Sequence, residues 1–185
     1  REEHRRFWYR TAETVYELFE RCYQDPAVDP GLVNDWGRYS APCSEGGNNY
    51  DWPRSLWRTS IDAAWFGNRT DLPENQPNTS LAFPGKTRMQ AKIEAIQGFF
   101  ADFYLNNPPE PNANRFSTLC DGLRPDGAVT LCDPAFGHNS NFVNNPLTAF
   151  VAAWDNGGDT TPAIRREALE ESVSTAVIND RYFQE

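Results

Sequence analysis

The chain has 185 residues, with 26 acidic and 17 basic side chains and a formal charge of -9. Hydrophobic residues make up 39% of it, which argues against a disordered chain, and no apolar run approaches the roughly 20 residues that a bilayer span needs. The basic residues are scattered among carboxylates, so we expect no nucleic-acid partner and no membrane. A globular domain with an uncharged substrate fits this composition best.

Five helices are predicted from apolar residues that recur every three or four positions. The third is the clearest, since Met89, Ile93, Ile96, Phe100 and Phe103 define one buried face. The second begins at Pro53, a residue suited to the first helical position. The five predicted spans are residues 5–23, 53–67, 85–105, 142–154 and 161–179.

The segment between the third and fourth helices is rich in Pro, Asn and Gly. Within it, residues 116–120 and 128–132 are typical of two short strands on either side of the turn sequence at residues 124–127. The sequence therefore predicts a single all-α region over residues 1–185, with long loops and one short β-hairpin.

The four cysteines are too widely spaced in the sequence to form the close pairs of a typical zinc site. Disulfides are the better interpretation. Cys22 and Cys43 bracket one loop, and Cys120 and Cys132 bracket the predicted hairpin, so we favour these two bridges among the three possible connectivities. Disulfides imply a secreted or periplasmic setting. The first residues are charged and no apolar stretch follows, so no signal peptide is expected at the start of this sequence. We expect neither a metal nor a cofactor.

Side chains that could act in catalysis or substrate binding are most concentrated around Asp51, which directly precedes the second predicted helix. Unpaired backbone N–H groups and the helix dipole favour the ionised form of a carboxylate at that place, so Asp51 could accept a proton. Arg54 lies three residues further along, where it could orient that carboxylate or contact a substrate hydroxyl. Tyr50 and Trp52 offer aromatic faces on which sugar rings could stack.

The same residues also fit a purely structural interpretation. An aspartate before a helix is a common cap, an Asp and an Arg three residues apart often form an ordinary ion pair, and a helical Trp is usually part of the core. The residue types alone favour this structural interpretation.

Three blocks of sequence, taken together, resemble the C-terminal part of glycoside hydrolase family 8. They are residues 31–36 (GLVNDW), 50–67 (YDWPRSLWRTSIDAAWFG) and 137–143 (GHNSNFV). The resemblance rests on their order and spacing, on the Tyr50-Asp51 pair, on Arg54 three residues later and on a further Trp-Arg pair at 57–58.

This resemblance implies part of an (α/α)6 barrel, with five or six of its helices, that binds β-1,4-linked polysaccharide such as cellulose, xylan or chitosan and hydrolyses it with inversion. Asp51 matches the general base and Arg54 the arginine beside it, while Tyr50 would line the cleft. We also expect Trp36, Trp52 and Tyr182 to contact substrate. In an inverting enzyme the acid and base carboxyls stand roughly 6.5–9.5 Å apart, with the attacking water between base and sugar.

The general acid of that family lies far upstream of the base, so we expect it to be missing from this chain. The expected partners are a β-1,4-glycan and a missing N-terminal half, another chain or a second copy that covers exposed helix faces. The chain is then an excerpt of a longer enzyme or a processed piece of one. The alternative is a non-catalytic structural, assembly or carbohydrate-binding protein of the same fold.

Overall fold

The computed structural model describes residues 1–32, 43, 52–106, 114–119 and 160–179. This part is mostly helical and contains four α-helices: α1 (Glu2–Cys22), α2 (Trp52–Phe66), α3 (Arg88–Asn106) and α4 (Thr161–Asn179). Two 3₁₀ helices, Pro73–Asn75 and Arg115–Thr118, lie between them. All four α-helices occur where the sequence predicts them, within three residues at each end. The predicted helix at residues 142–154 lies outside the described residues.

Local sequence explains where the helices begin and end. Thr87 and Gln90 form a reciprocal pair at the start of α3, in which the Thr87 hydroxyl accepts the Gln90 N–H and the Gln90 side chain accepts the Thr87 N–H. After α2, the Asn75 amide donates to the carbonyl oxygens of Phe66 and Arg69, both at 2.8 Å. The carbonyl of Phe66, the last residue of α2, is therefore held by a side chain from the following segment.

Helix α3 is the centre of the described core, because α1, α2 and α4 all pack against it. Its predicted face is confirmed: Met89, Ile93, Ile96, Phe100 and Phe103 are all buried. The buried surface is wider than that face, however, and also includes Ala91, Lys92, Ala95, Phe99 and Tyr104. A helix buried on most sides cannot be recognised from a single apolar stripe.

Not every apolar residue of α1 and α4 faces the core. Val15 is exposed and Tyr16 takes its place in the core, while on α4 Leu169 is exposed and Ala168 is buried. Phe19 of α1 and Ile164 of α4 are buried, so single positions differ and neither helix is rotated as a whole.

The first predicted strand is wrong over residues 116–119. Arg115–Thr118 forms a 3₁₀ helix, because the Asn114 side chain accepts the Phe116 N–H and the Leu119 N–H donates to the Phe116 carbonyl. Phe116 is fully buried, and its ring packs against those of Phe100, Phe103 and Tyr104. The second strand of the predicted hairpin, at 128–132, lies outside the described residues.

Glu20 of α1 and Glu167 of α4 each join their helix to another part of the chain through buried or half-buried hydrogen bonds. The Glu20 carboxylate accepts from Arg88 at 3.0 Å and from the backbone N–H and hydroxyl of Thr79, which joins α1 to the segment before α3. The Glu167 carboxylate accepts from the Tyr104 hydroxyl at 2.9 Å and from the Arg115 N–H, which joins α4 to α3. These bonds set how the helices sit against one another.

Candidate functional site

Helix α2 begins at Trp52, the residue that follows Asp51. The predicted placement of a helix start beside Asp51 is thus confirmed, and Arg54 belongs to the first turn of α2. Asp51 itself lies outside the described residues, as do Tyr50, Trp36 and Tyr182. For Trp52 and Arg54 the structure describes the helical backbone and not the side chains.

The chain upstream of Asp51 is held against α3 by a buried lysine. Lys92 is 1% exposed, and its ammonium group donates to the carbonyl oxygens of Pro30 and Gly31, both at 3.0 Å, and of Leu32 at 3.4 Å. Three consecutive carbonyl groups, of which those of Gly31 and Leu32 belong to buried residues, thereby accept from one buried donor. Gly31 and Leu32 are the first two residues of the 31–36 block on which the family resemblance partly rests.

The environment of Lys92 is mainly apolar. Its ammonium lies 4.9 Å from the centre of the Phe19 ring. Burial lowers the pKa of Lys92 to about 7, while the negative charge of Asp29 acts in the opposite direction. Burial also raises the pKa of Asp29, whose carboxylate accepts the Gly31 N–H at 2.7 Å.

Gly31 is required at its position by close packing. A Cβ atom there would lie 2.7 Å from both the Ala95 carbonyl oxygen and the Phe99 Cβ, well inside van der Waals contact. The first residue of the 31–36 block therefore rests directly on the backbone of α3. Any larger residue would push this segment away from the helix.

A disulfide joins the end of α1 to the same part of the chain. The predicted bond between Cys22 and Cys43 is present, whereas Cys120 and Cys132 lie outside the described residues. Together, Lys92 and the Cys22–Cys43 bond fix two points of the segment between α1 and α2. The backbone that leads to Asp51 is thus attached at residues 30–32, at residue 43 and at the start of α2.

Two further acidic residues lie at the other end of α2. Asp62, near the end of α2, and Glu74, in the 3₁₀ helix Pro73–Asn75, both line a cavity of about 830 Å³ beside α1. Burial raises the pKa of each, and the charge of Asp62 further raises that of Glu74. Burial and, to a smaller extent, the charges of both carboxylates raise the pKa of Tyr16.

Sequence reasoning missed Lys92, Asp62 and Glu74. Lys92 could have been found, because it lies three residues after Met89 and four before Ile96, on the predicted buried face of α3. A lysine on an apolar face indicates a buried charge that needs acceptors. Asp62 and Glu74 are brought together only by tertiary packing, and nothing in their spacing predicts it.

The described residues contain no group of three or more His, Cys, Asp or Glu side chains that could hold a metal ion. Within the same part of the chain, none of the helices has the length and apolar character needed to cross a membrane. No protein-family model, curated protein or solved structure matched this chain.

Proposed function

We propose that this chain supplies the general base and part of the substrate cleft of an inverting hydrolase that acts on β-1,4-linked polysaccharide. The observation that carries the proposal is the ordered set of blocks at 31–36, 50–67 and 137–143, which resembles the C-terminal part of glycoside hydrolase family 8. The fold implied is a portion of an (α/α)6 barrel. The predominance of helix and the packing of three helices around α3 are compatible with that architecture.

The start of α2 at Trp52 gives a physical reason for Asp51 as the base. Free backbone N–H groups and the positive end of the dipole at a helix N-terminus favour the ionised form of a nearby carboxylate. An ionised Asp51 accepts the proton of a water molecule as that water attacks the anomeric carbon. Arg54, in the first turn of α2, would orient this carboxylate.

Aromatic residues near Asp51 would bind the sugar chain. Tyr50 and Trp52 flank the base in the sequence, and we assign further substrate contacts to Trp36 and Tyr182. Aromatic side chains present a flat apolar body with a polar edge, which suits the mixed surface of a sugar ring. The Cys22–Cys43 disulfide supports a secreted or periplasmic location, where polymeric glycans are met.

The general acid must protonate the leaving-group oxygen from the other side of the scissile bond. In the resembled family this acid precedes the base by a long stretch of sequence, so we assign it to a part of a longer protein upstream of these 185 residues or to a second chain. The acid and base carboxyls would lie roughly 6.5–9.5 Å apart, which leaves room for the attacking water.

The experiment is a reducing-end assay on soluble β-1,4-glucan, xylan and chitosan, with the complete protein carrying Asp51→Asn. We expect activity to fall about a hundredfold or more, because the amide cannot accept the proton. Asp102→Asn is the matched control, since Asp102 is exposed on α3, and it should retain full activity. Full activity in Asp51→Asn would contradict the proposal. NMR of the first product should show the inverted anomer.

A second candidate function is a non-catalytic carbohydrate-binding or structural protein. Its supporting observation is the exposure of large aromatic side chains, with Phe7 62%, Trp8 67% and Trp65 73% exposed. Exposed rings of this size suit stacking on sugars or contact with another protein surface. Glycan binding without release of reducing ends, unchanged in Asp51→Asn, would favour this function over the first.

A further inference from the structure

The cavity beside α1 is separate from the proposed glycan site. It lies between the first turns of α1, the last turn of α2 and residues 69–74, and its volume of about 830 Å³ is in the range of small-molecule sites. Asp62 is ten residues beyond Trp52, or about 15 Å along the helix axis. The end of α2 that follows Asp51 and the end that faces this cavity are therefore different surfaces.

Two carboxylates of the cavity lining form no ion pair with a basic side chain in the part of the chain that the structure describes. Glu74 is only 5% exposed, and its carboxylate accepts a hydrogen bond from its own backbone N–H. No described basic side chain forms an ion pair with Glu74 or with Asp62. Burial raises the pKa of both groups, and the charge of Asp62 raises that of Glu74 further. Glu74, the more deeply buried of the two, therefore has no ion-pair partner among the described residues, although buried charges are normally paired.

Three of the four arginines of the lining are paired with other carboxylates. Arg5 and Arg6 both contact the Glu2 carboxylate, and Arg69 holds Asp71 through two hydrogen bonds of 2.8 and 2.7 Å. Arg69 lowers the pKa of Glu74, but it is the weakest of the influences on that group. The fourth arginine of the lining, Arg10, comes from α1.

These arginines do restrict what can enter. The four arginines of the lining disfavour a polybasic protein or peptide more strongly than a small ligand with a single positive charge. The cavity is also lined by aromatic rings, those of Trp8, Tyr9 and Phe66. A cation over an aromatic face is stabilised by the ring quadrupole, and the rings also cover an apolar ligand body.

We propose that this cavity binds a small organic cation, a primary ammonium group on a ring or alkyl body. The ammonium contacts the carboxylates of Asp62 and Glu74, and the body packs against Trp8, Tyr9 and Phe66. No covalent step is involved. This site does not depend on the glycan proposal, because it shares no residue with the surroundings of Asp51.

The test uses 2-phenylethylammonium as the probe and 2-phenylethanol as its neutral analogue, with the full chain at pH 7.5 in a calorimetric titration. Tryptophan fluorescence, to which Trp8 contributes as one of six tryptophans, gives a second readout. We expect the cation to bind at least about tenfold more tightly than the alcohol, since only the cation balances the two carboxylates. Equal affinity for the two probes, or no binding of the cation at millimolar concentration, would overturn the proposal.

Variants locate the interaction. Glu74→Gln and Asp62→Asn should each weaken binding of the cation by about tenfold and leave binding of the alcohol unchanged. Glu94→Gln is the matched control, because Glu94 is a half-exposed carboxylate paired with Lys86, and it should bind the cation as the unaltered chain does. If Glu74→Gln does not fold, the affinity of Asp62→Asn for the cation tests the proposal. Unchanged affinity in the folded variants contradicts the proposal.

The pH dependence of binding and a comparison with a basic peptide distinguish a small organic cation from a protein partner. Lowering the pH should weaken binding of the cation, because Asp62 and Glu74 become protonated while Arg5, Arg6, Arg10 and Arg69 keep their charge. A lysine-rich peptide should bind more weakly than 2-phenylethylammonium. Tighter binding of the peptide would overturn the small-molecule assignment and indicate a protein partner.

Discussion

The ammonium group of Lys92 lies 3.0 Å from the carbonyl oxygen of Gly31, so a buried side chain of α3 holds the backbone at the first residue of the 31–36 block. The same group also donates to Pro30 and Leu32. An apolar residue of similar size could not replace this lysine, because it has no N–H group to donate to the three carbonyls. Several expectations about stability and pH depend on this arrangement.

Replacing Lys92 with Met should destabilise the fold at pH 9. At pH 9 the Lys92 amine is neutral and can donate two N–H groups to the carbonyls of Pro30, Gly31 and Leu32. The thioether fills most of the same space but donates no hydrogen bond, which costs about 1–3 kcal/mol. Urea unfolding followed by circular dichroism measures the loss. Lys86→Met is the control, because Lys86 is a half-exposed residue paired with Glu94. An unchanged unfolding free energy in Lys92→Met would show that the three bonds contribute nothing.

The unfolding free energy should rise between pH 7 and pH 9.5. Burial lowers the pKa of Lys92 from 10.5 to about 7, so in this range the unfolded chain binds a proton that the folded chain does not. Stability therefore increases with pH, by on the order of 2–3 kcal/mol across the window. The measurement stops below pH 10, because the raised pKa values of Tyr16 and Tyr23 act in the opposite direction above it.

The Lys92→Met variant is the control for this pH dependence. It has no titrating group at residue 92, so its unfolding free energy should stay nearly flat over the same window. An equal rise in both proteins would assign the effect to other groups.

Much of this architecture is accessible from the sequence, and the exceptions have physical causes. The four described α-helices follow from apolar spacing, and the Cys22–Cys43 bond follows from the loop that these residues bracket. Phe116 was placed in a strand because aromatic and β-branched residues favour strands. Its actual 3₁₀ turn is set by the Asn114 cap and by packing against α3, which is a long-range contact.

The surroundings of Asp51 and the cavity with Asp62 and Glu74 also differ in how far the sequence alone predicts them. The start of α2 beside Asp51 could be predicted, because Pro53 and the apolar spacing are local signals. The meeting of Asp62 and Glu74 at one cavity could not, since it depends on how the start of α1, the end of α2 and residues 69–74 are arranged around that cavity. Local sequence patterns predict where a helix lies, whereas the residues that meet between helices depend on how the helices pack.

Gly31→Ala and Gly98→Ala should have opposite effects. At residue 31 the new methyl group would meet the Ala95 oxygen and the Phe99 Cβ at 2.7 Å, which should cost about 1–3 kcal/mol of unfolding free energy. At residue 98, inside α3, nothing lies within 4 Å of the new methyl group. There the higher helix propensity of Ala should stabilise the protein by up to about 1 kcal/mol. Thermal midpoints compare the two variants directly, and equal midpoints would contradict the packing argument.

Glu20→Gln should be more damaging than loss of an exposed carboxylate. Glu20 and Arg88 form an ion pair with side chains only 7% and 11% exposed, and the Glu20 carboxylate also accepts from Thr79. Removing one charge of a buried pair leaves the other uncompensated, which costs about 3–5 kcal/mol. Glu3→Gln on the exposed side of α1 is the matched control and should shift the unfolding free energy by less than about 0.5 kcal/mol. The two variants are compared by urea unfolding, and a loss under 1 kcal/mol for Glu20→Gln would mean that water replaces the missing charge.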